Sequence, residues 1–252
     1  MIDTHCHLND NQFAEDLNKV IDNYLEVGVS KVVCVGCDEK SNIKGKEIAS
    51  QNESVYYSVG IHPDDCETYN EQNLEQFLIN KDKKLVAIGE IGLDYFRTKE
   101  NSVKQKQVFI SQLNLAVKYS LPVIIHCRDA YGDILPILQE YSKKLKIVMH
   151  CYSGSLEFAQ ILIKLGVKIS FTGNVTFKNA VNVQNVATNL PLDSFFFETD
   201  CPYLAPTGHR GERNQPAFVP LVAEFVANLR NISKEQLIEI TDKNAQNFFN
   251  FQ

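Results

Sequence analysis

Short runs rich in β-branched and aromatic residues alternate along this chain with stretches of helical periodicity, and this alternation limits the possible folds more than any other feature. Eight such runs occur, and most are continuously apolar, as in parallel strands that are buried on both faces. They are Met1–Thr4, Lys31–Val35, Val55–Val59, Leu85–Gly89, Pro122–Ile125, Lys146–Met149, Lys168–Phe171 and Ser194–Phe197. Eight strands that alternate with helices predict an α/β fold, a closed (β/α)8 TIM-type barrel rather than an open sheet.

The segments between these runs carry apolar residues at the spacing of amphipathic helices. Helices are predicted at Phe13–Val27, Ser102–Tyr119, Asp133–Tyr141, Leu156–Leu165 and Lys234–Phe249. Ser155 is suited to be the N-cap of the fourth, and the last segment is expected to close against the barrel wall. Two long connections, His62–Asn80 and Cys201–Val219, follow strands and should lie on the C-terminal face. Without a linker or low-complexity tract, residues 1–252 are predicted to form a single catalytic barrel domain.

The composition of the chain argues against several classes of protein. No apolar run approaches the roughly 20 residues needed to cross a bilayer, and the start of the chain lacks the pattern of a signal peptide. The seven cysteines are odd in number and scattered, as expected of free thiols in a reducing compartment. A soluble, cytoplasmic protein is expected, with no membrane and no obligate protein partner. The net charge of −6 argues against a broad basic face for nucleic acid, although two bound cations would reverse the sign locally.

Five of the six histidines fall at the C-terminal ends of predicted strands, where barrel enzymes place their active sites. His5 and His7 are two residues apart, so both imidazoles should face the barrel mouth. Glu90 ends the fourth strand, and Asp200 ends the eighth. The predicted metal ligands are therefore His5, His7, Glu90, His126, His150 and Asp200. This set suits two divalent ions such as Zn²⁺, Mn²⁺ or Mg²⁺, with Glu90 able to bridge them.

Because successive residues of a strand point to opposite faces, the sequence also predicts which way the neighbours of these ligands point. This alternation directs four adjacent cysteines into the helix layer as small core residues: Cys6, Cys127, Cys151 and Cys201. Glu198 shares the face of Asp200. Two interpretations of Glu198 stay open, a residue that supports the ligands or a filler of the barrel interior.

Nine short motifs run in order through nearly the whole chain. They are HCHL, GIHP, GEIGLDY, LPVIIHCRDA, HCYSG, SFTGN, ETDCPYLAP, RNQP and DKNAQNFF. Together they resemble the motifs of the TatD-like metal-dependent deoxyribonucleases, a family within the amidohydrolase-type barrels. The resemblance implies a cytoplasmic hydrolase that cleaves DNA phosphodiester bonds with divalent metals.

The resemblance also implies how the ligands are shared. It places His5, His7, Glu90 and Asp200 at one ion, and Glu90, His126 and His150 at the other. It implies that His62, in the GIHP motif, lies near the substrate phosphate. This chain departs from the usual family pattern at Asp64, where a second histidine is common, and at Tyr152, where phenylalanine is common. Neither position is a predicted ligand, so both departures bear on substrate detail.

Together with a two-ion site, the resemblance implies cleavage of DNA by a metal-bridged hydroxide, in the manner of a 3′-5′ exonuclease on single-stranded ends. Asp200 and Glu90 are the predicted catalytic residues, Asp200 either accepting the proton of the attacking water or serving only as a ligand. The predicted substrate-binding residues are His62, Arg128, Ser153, Tyr95 and Arg213. The two arginines are expected to clamp phosphate, Ser153 to form part of a phosphate cradle, and Tyr95, like Tyr203, to stack on an unpaired base.

Two other functions are compatible with these residues. An amidohydrolase-type ester or amide hydrolase, such as an aminoacyl-tRNA deacylase, would use the same ions. Many such barrels carry a carbamylated lysine on the fourth strand where this chain has Glu90, which favours phosphodiester cleavage. A non-enzymatic metal-binding scaffold is the second alternative, and the intact ligand set argues against it.

Overall fold

Strand pairing follows chain order in the computed structural model of the protein, which describes residues 1–251. The eight strands are β1 (Ile2–Cys6), β2 (Lys31–Cys34), β3 (Val55–Val59), β4 (Leu85–Asp94), β5 (Val123–Arg128), β6 (Ile147–Met149), β7 (Lys168–Phe171) and β8 (Phe195–Phe197). Each neighbouring pair is parallel. The seam between β8 and β1 is joined by backbone hydrogen bonds from Asp200 to the His5 carbonyl (2.9 Å) and from His7 to the Cys201 carbonyl (2.8 Å). The predicted (β/α)8 barrel is confirmed.

Helices cover the outside of this barrel. Within residues 1–251 they are α1 (Leu17–Glu26), α2 (Glu39–Gln51), α3 (Glu71–Ile79), α4 (Ser102–Tyr119), α5 (Tyr131–Tyr141), α6 (Leu156–Lys164), α7 (Val181–Asn189), α8 (Val219–Arg230) and α9 (Lys234–Phe249). As predicted, Ser155 caps α6, because its side chain accepts the Phe158 amide at 3.2 Å. The predicted connection His62–Asn80 contains α3, where Asn70 caps the first turn. None of the helices described here is both long and apolar enough to cross a membrane.

The last helix, α9, closes the N-terminal end of the barrel. Asp242 of α9 accepts the backbone amide of Ile2, at the start of β1, at 2.9 Å. Lys146, just before β6, donates to the Asn247 carbonyl at 2.8 Å. These two contacts hold α9 against strand beginnings on different sides of the barrel.

Aromatic side chains of the C-terminal segment fill this end of the barrel. Phe196 of β8 packs against Phe248, with ring centroids 5.2 Å apart. The apolar cluster around them comprises Ile2, Val33, Val35, Tyr56, Val86, Ala87, Ile124, Val148, Phe196, Ala245, Phe248, Phe249 and Phe251. Burial of this cluster leaves the opposite, C-terminal end to carry the polar residues.

Candidate metal centre and its cavity

Donor atoms from the first and last strands converge at the mouth of the barrel. The Nε2 atoms of His5 and His7 lie 3.2 Å apart. Asp200, just beyond β8, places Oδ1 3.6 Å from His5 Nε2 and 3.3 Å from His7 Nε2. Glu90 Oε2, from β4, lies 3.5 Å and 3.9 Å from the same two nitrogens. These four atoms are called here the first donor group.

A second donor group lies on the other side of Glu90. Glu90 Oε1 is 2.8 Å from His126 Nδ1 and 2.7 Å from His150 Nε2. The two nitrogens are 3.4 Å from each other. Glu90 thus faces the two groups with different oxygens, and the structure brings all six predicted ligands together.

The spacing of these atoms fits bound divalent ions. Zinc bonds to nitrogen and oxygen are about 2.0–2.2 Å long, so two ligands of one tetrahedral ion lie roughly 3.3–3.6 Å apart. The contacts within the two donor groups run from 2.7 to 3.9 Å and bracket that separation. Neutral imidazole and carboxylate are the ligands that Zn²⁺ and neighbouring first-row ions accept.

The electrostatics of the centre also favour cations. Burial opposes charge on Glu90, yet the surrounding imidazoles, led by His150, hold its pKa well below the usual value. Burial likewise opposes charge on Asp200, but the hydrogen bond from His7 and the nearby imidazoles of His5 and His150 together lower its pKa. Conversely, Glu90 raises the pKa of His150 well above its usual value, against the effect of burial. The carboxylates therefore draw positive charge into the centre, and a divalent cation experiences the same attraction.

A glycine allows β4 and β5 to bring their ligands together. Gly92 pairs with His126 across the two strands and has a φ of 148°. A Cβ atom at Gly92 would lie 1.9 Å from the His126 carbonyl oxygen. Only glycine fits this close approach, so Gly92 is needed for Glu90 and His126 to share one centre.

Two of the predicted ligand imidazoles have their second nitrogen at hydrogen-bond distance from an oxygen acceptor. These contacts are His7 Nδ1 to the Val35 carbonyl (3.2 Å) and His126 Nε2 to Asp94 Oδ2 (3.0 Å). In a third, His150 Nδ1 lies 3.4 Å from Glu198 Oε1 without forming a hydrogen bond. Such acceptors behind the ligands are typical of metal-bound histidines. Glu198 accepts the Cys151 amide at 2.7 Å and the Ser170 hydroxyl at 2.5 Å, so it is held directly beneath His150.

His62 lies at the edge of the second donor group. Its Nδ1 accepts the Asp64 amide at 3.1 Å, and its Nε2 lies 3.7 Å from Glu90 Oε1. Burial, together with the neighbouring imidazole of His126, lowers the pKa of His62 to about 4, although Glu90 opposes this. The ring is therefore neutral at pH 7, and because Nδ1 accepts, its proton is on Nε2, the nitrogen nearer to Glu90.

A cavity of about 810 Å³ opens above the two donor groups. Its lining carries eight carboxylates and two arginines, Arg97 and Arg128. Arg97 is already paired with Asp64 at 2.9 Å. An anionic substrate therefore enters a negative field unless cations occupy the donor groups.

The predicted substrate-binding residues divide between this cavity and other places. His62, Arg128 and Ser153 line it. The Arg128 guanidinium lies 3.8 Å from the ring centroid of Phe96, a side chain that is 62% exposed. Tyr203 lines the cavity too, and it is 52% exposed. Its ring centroid lies 6.2 Å from that of His7.

Tyr95 and Arg213 are engaged elsewhere. The Tyr95 hydroxyl donates to Asp133 at 2.7 Å. Arg213 forms a bidentate pair with Asp16 at 2.9 and 2.6 Å. The structure does not place either residue among those lining the cavity. The exposed aromatic side chain in this segment is Phe96, the neighbour of Tyr95.

One of the four cysteines predicted to face the helix layer lies elsewhere. Cys6 and Cys201 are buried as expected, and Cys127 is partly buried against the same apolar cluster as Val123 and Ile125 of its own strand. Cys151 is half-buried and lines the cavity. It follows the end of β6 with a left-handed φ of 46°, so the alternation of strand residues no longer applies to it.

A parallel barrel with imidazole and carboxylate donors at its C-terminal face is typical of metal-dependent hydrolases. The comparisons with known proteins give the family. The family described as TatD related DNase matches residues 2–250, and the chain belongs to it.

Bacterial relatives agree with this assignment. The uncharacterized metal-dependent hydrolase YabD of Bacillus subtilis (strain 168) is 39% identical over 251 residues, 99% of this chain and 98% of that protein. The 3'-5' ssDNA/RNA exonuclease TatD of Shigella flexneri serotype 5b is 29% identical over 256 residues, 99% of this chain and 98% of that protein. The crystal structure of YjjV, a TatD homolog from Escherichia coli K12, superposes with a TM-score of 0.95 at 30% identity and covers 100% of this chain and 98% of that one. This protein is a metal-dependent hydrolase of the TatD family.

Proposed function

We propose that this protein is a two-metal exonuclease that removes nucleotides from the 3′ end of single-stranded DNA. The observation that carries the proposal is the division of Glu90, whose Oε2 faces His5 and Oε1 faces His150. Two ions bridged by one carboxylate are a common arrangement for cleaving phosphodiesters. The Shigella flexneri relative described as a 3'-5' ssDNA/RNA exonuclease supports the choice of substrate.

The residues of this chain have distinct tasks in the proposed reaction. When bound, two divalent ions supply an activated water near neutral pH and offset the charge that develops on the phosphate. Asp200 is ionised because its pKa is lowered, so its carboxylate can accept the proton of the attacking water. His62 offers the N–H at Nε2 to a non-bridging phosphate oxygen. Glu90 holds the two donor groups at a fixed separation.

The cavity supports a single-stranded end as substrate. Pockets of roughly 300–1,000 Å³ hold small ligands, so the volume of about 810 Å³ suits a terminal nucleotide better than a duplex. Arg128, braced by Phe96, presents its guanidinium to a phosphate, and Ser153 presents a hydroxyl. The exposed ring of Tyr203 offers a stacking surface for an unpaired base.

A second candidate function is favoured by the acidic lining of the cavity. Eight carboxylates would attract a substrate with a free amino group, such as an aminoacyl ester, more readily than a polyanion. The same metal centre would attack a carbonyl carbon. We rank this activity below phosphodiester cleavage, because Arg128 and His62 both present donors suited to phosphate.

The test follows single-stranded DNA oligonucleotides after metal-free protein has been refilled with Mg²⁺, Mn²⁺ or Zn²⁺. A 5′-labelled strand is expected to shorten stepwise, whereas a 3′-labelled strand is expected to release labelled mononucleotide first. Glu90→Gln should abolish both signals. Glu140→Gln, which removes an exposed carboxylate of α5 paired with Lys144, is the matched control and should cleave like wild type.

The alternatives give different results in the same assay. Cleavage of an aminoacyl ester without cleavage of the oligonucleotide would replace the exonuclease with the ester hydrolase. Bound ions without turnover of either substrate would contradict both activities and favour a scaffold.

A further inference from the structure

A buried carboxylate outside the two donor groups lies directly behind one of the ligands. Asp94, the last residue of β4, is 1% exposed, and its Oδ2 lies 3.0 Å from Nε2 of His126. The other ring nitrogen, Nδ1, faces Glu90 Oε1 at 2.8 Å within the second donor group. An ionised carboxylate only accepts hydrogen bonds, so the ring must donate an N–H at Nε2. That tautomer leaves the lone pair of Nδ1 free for an ion.

The orientation of Asp94 is fixed by its surroundings. Its Oδ1 accepts the backbone amides of Phe96 and Arg97, both at 2.9 Å. Its own amide donates to Gln105 Oε1 at 2.9 Å, and its carbonyl accepts from Gln105 Nε2 at 2.9 Å. Gln105 is itself 1% exposed. The two carboxylate oxygens therefore have separate tasks, one on the loop and one on the imidazole, and they cannot exchange them.

We propose that Asp94 is a positioning residue that fixes the tautomer of His126 and thereby sets the ion affinity of the second donor group. This inference rests on the proposed two-ion function. Metal-bound histidines commonly donate their other N–H to such a partner, and loss of the partner typically weakens metal binding about 10- to 100-fold.

Two substitutions separate this role from a purely structural one. In Asp94→Asn, the amide oxygen must stay against Phe96 and Arg97, because the reversed side chain would place an NH2 group against two N–H donors. The NH2 group then faces His126 Nε2, which has to accept, and the ring proton moves to Nδ1. Asparagine thus keeps the loop contacts but blocks the ligand atom.

Asp94→Ala has the opposite effect on the loop contacts and on the ligand atom of His126. It removes the loop contacts and leaves a cavity, yet His126 can still adopt the tautomer with Nδ1 free. A positioning role therefore predicts weaker ion binding for asparagine than for alanine. A structural role predicts the reverse order.

Ion binding is measured by calorimetric titration of the metal-free proteins with Zn²⁺ and with Mn²⁺. Wild type is expected to bind two equivalents. Asp94→Asn should keep one and bind the other about 10- to 100-fold more weakly, with a smaller loss for Asp94→Ala. Asp133→Asn, which changes an exposed carboxylate bonded to Tyr95, is the matched control and should bind as wild type. Alanine binding as weakly as asparagine, or more weakly, would overturn the proposal.

Nitrogen-15 shifts of the His126 ring give a readout that needs no ion. In the neutral ring the proton is expected on Nε2 in wild type and on Nδ1 in Asp94→Asn. The same tautomer in both proteins would overturn the proposal. If the tautomers differ but wild type binds fewer than two ions, the two-ion function fails, whereas the placement of the proton by Asp94 is supported.

Discussion

At the N-terminal end of the barrel, Phe196 packs against Phe248 of α9 inside an apolar cluster. At the C-terminal end, the same parallel strands carry imidazoles and carboxylates into a cavity of about 810 Å³. At each end, several strands contribute side chains to one cluster. The comparison indicates that one end supplies stability through buried apolar area, and the other end uses that stability to hold buried imidazoles and carboxylates close together.

Backbone conformation also differs between the two ends of the barrel. Three non-glycine residues with left-handed φ values follow helix ends: Ser120, Asn231 and Asn250. The other four lie in loops on the C-terminal face, and they are Asp129, Cys151, Asp200 and Leu204. Such conformations cost of the order of 1–3 kcal/mol each and persist where the surrounding structure over-determines them. Substitutions at the N-terminal end should therefore alter stability, and substitutions at the C-terminal end should alter activity.

The largest effect on stability is expected from Phe196→Ala. The side chain is fully buried, so its removal should lower the free energy of unfolding by about 3–5 kcal/mol. Urea denaturation followed by circular dichroism measures this loss. The kcat of the fraction that remains folded should equal that of wild type. A fall in kcat without a loss of stability would break the comparison between the two ends.

The matching substitution at the C-terminal end is Asp200→Asn. An amide in place of the carboxylate cannot accept the proton of the attacking water, so kcat should fall about 10²- to 10³-fold. Steady-state cleavage of the single-stranded oligonucleotide measures this change. The urea midpoint should stay close to that of wild type. Retention of kcat within a factor of a few would assign Asp200 the role of ligand alone.

A smaller effect is expected from Arg128→Ala. Loss of a charged hydrogen bond to phosphate costs about 1.5–3 kcal/mol, so KM should rise about 10-fold or more while kcat changes little. The control is Arg210→Ala, because Arg210 stacks on Phe177 at 3.9 Å and is not among the residues lining the cavity. Equal changes in KM for the two variants would remove Arg128 from the proposed phosphate contacts.

The smallest effect concerns Asp16, which lies in the loop after β1 and pairs with Arg213 away from the cavity. The hydrogen bond from Arg213 lowers the pKa of Asp16 below its usual 3.8. A lowered pKa means that the pair stabilises the fold above about pH 4 and that this stability is lost as the pH falls through the lowered value.

Asp16→Asn should therefore lower the unfolding free energy at pH 7 by about 0.2–1 kcal/mol, as for other exposed pairs. The difference from wild type should disappear in acid, and kcat should be unchanged. Thermal unfolding at pH 7 and below pH 3 checks this. A difference that persists in acid would show that the pair acts through packing instead of charge.

The convergence of the six predicted ligands could be predicted because strand geometry determines it. In a parallel barrel the C-terminal ends of all strands meet on one face, so His5, His126 and Asp200 had to converge there. Strand lengths were harder to predict. The fourth predicted strand ends at Gly89, but β4 continues to Asp94, so the sequence did not predict the contact between Asp94 and His126. The signal was present in GEIGLDY, where Asp94 follows Glu90 by four residues of the same strand.

Side chains beyond the strands could not be placed from periodicity. Cys151 changes direction because its backbone is left-handed. Tyr95 turns to Asp133, and Arg213 turns to Asp16, because in each case an oppositely charged or hydrogen-bonding partner is close in space but distant in sequence. Only the folded chain shows which of several polar partners a loop residue contacts.

The seam between β8 and β1 has a consequence for how the protein is made. Asp200 lies far beyond His5 in the sequence, so it is synthesised much later. The bond from the Asp200 amide to the His5 carbonyl forms only once β8 has emerged, and α9 must then dock beneath Ile2. The first donor group is therefore completed late in synthesis, and a chain truncated before β8 would lack Asp200.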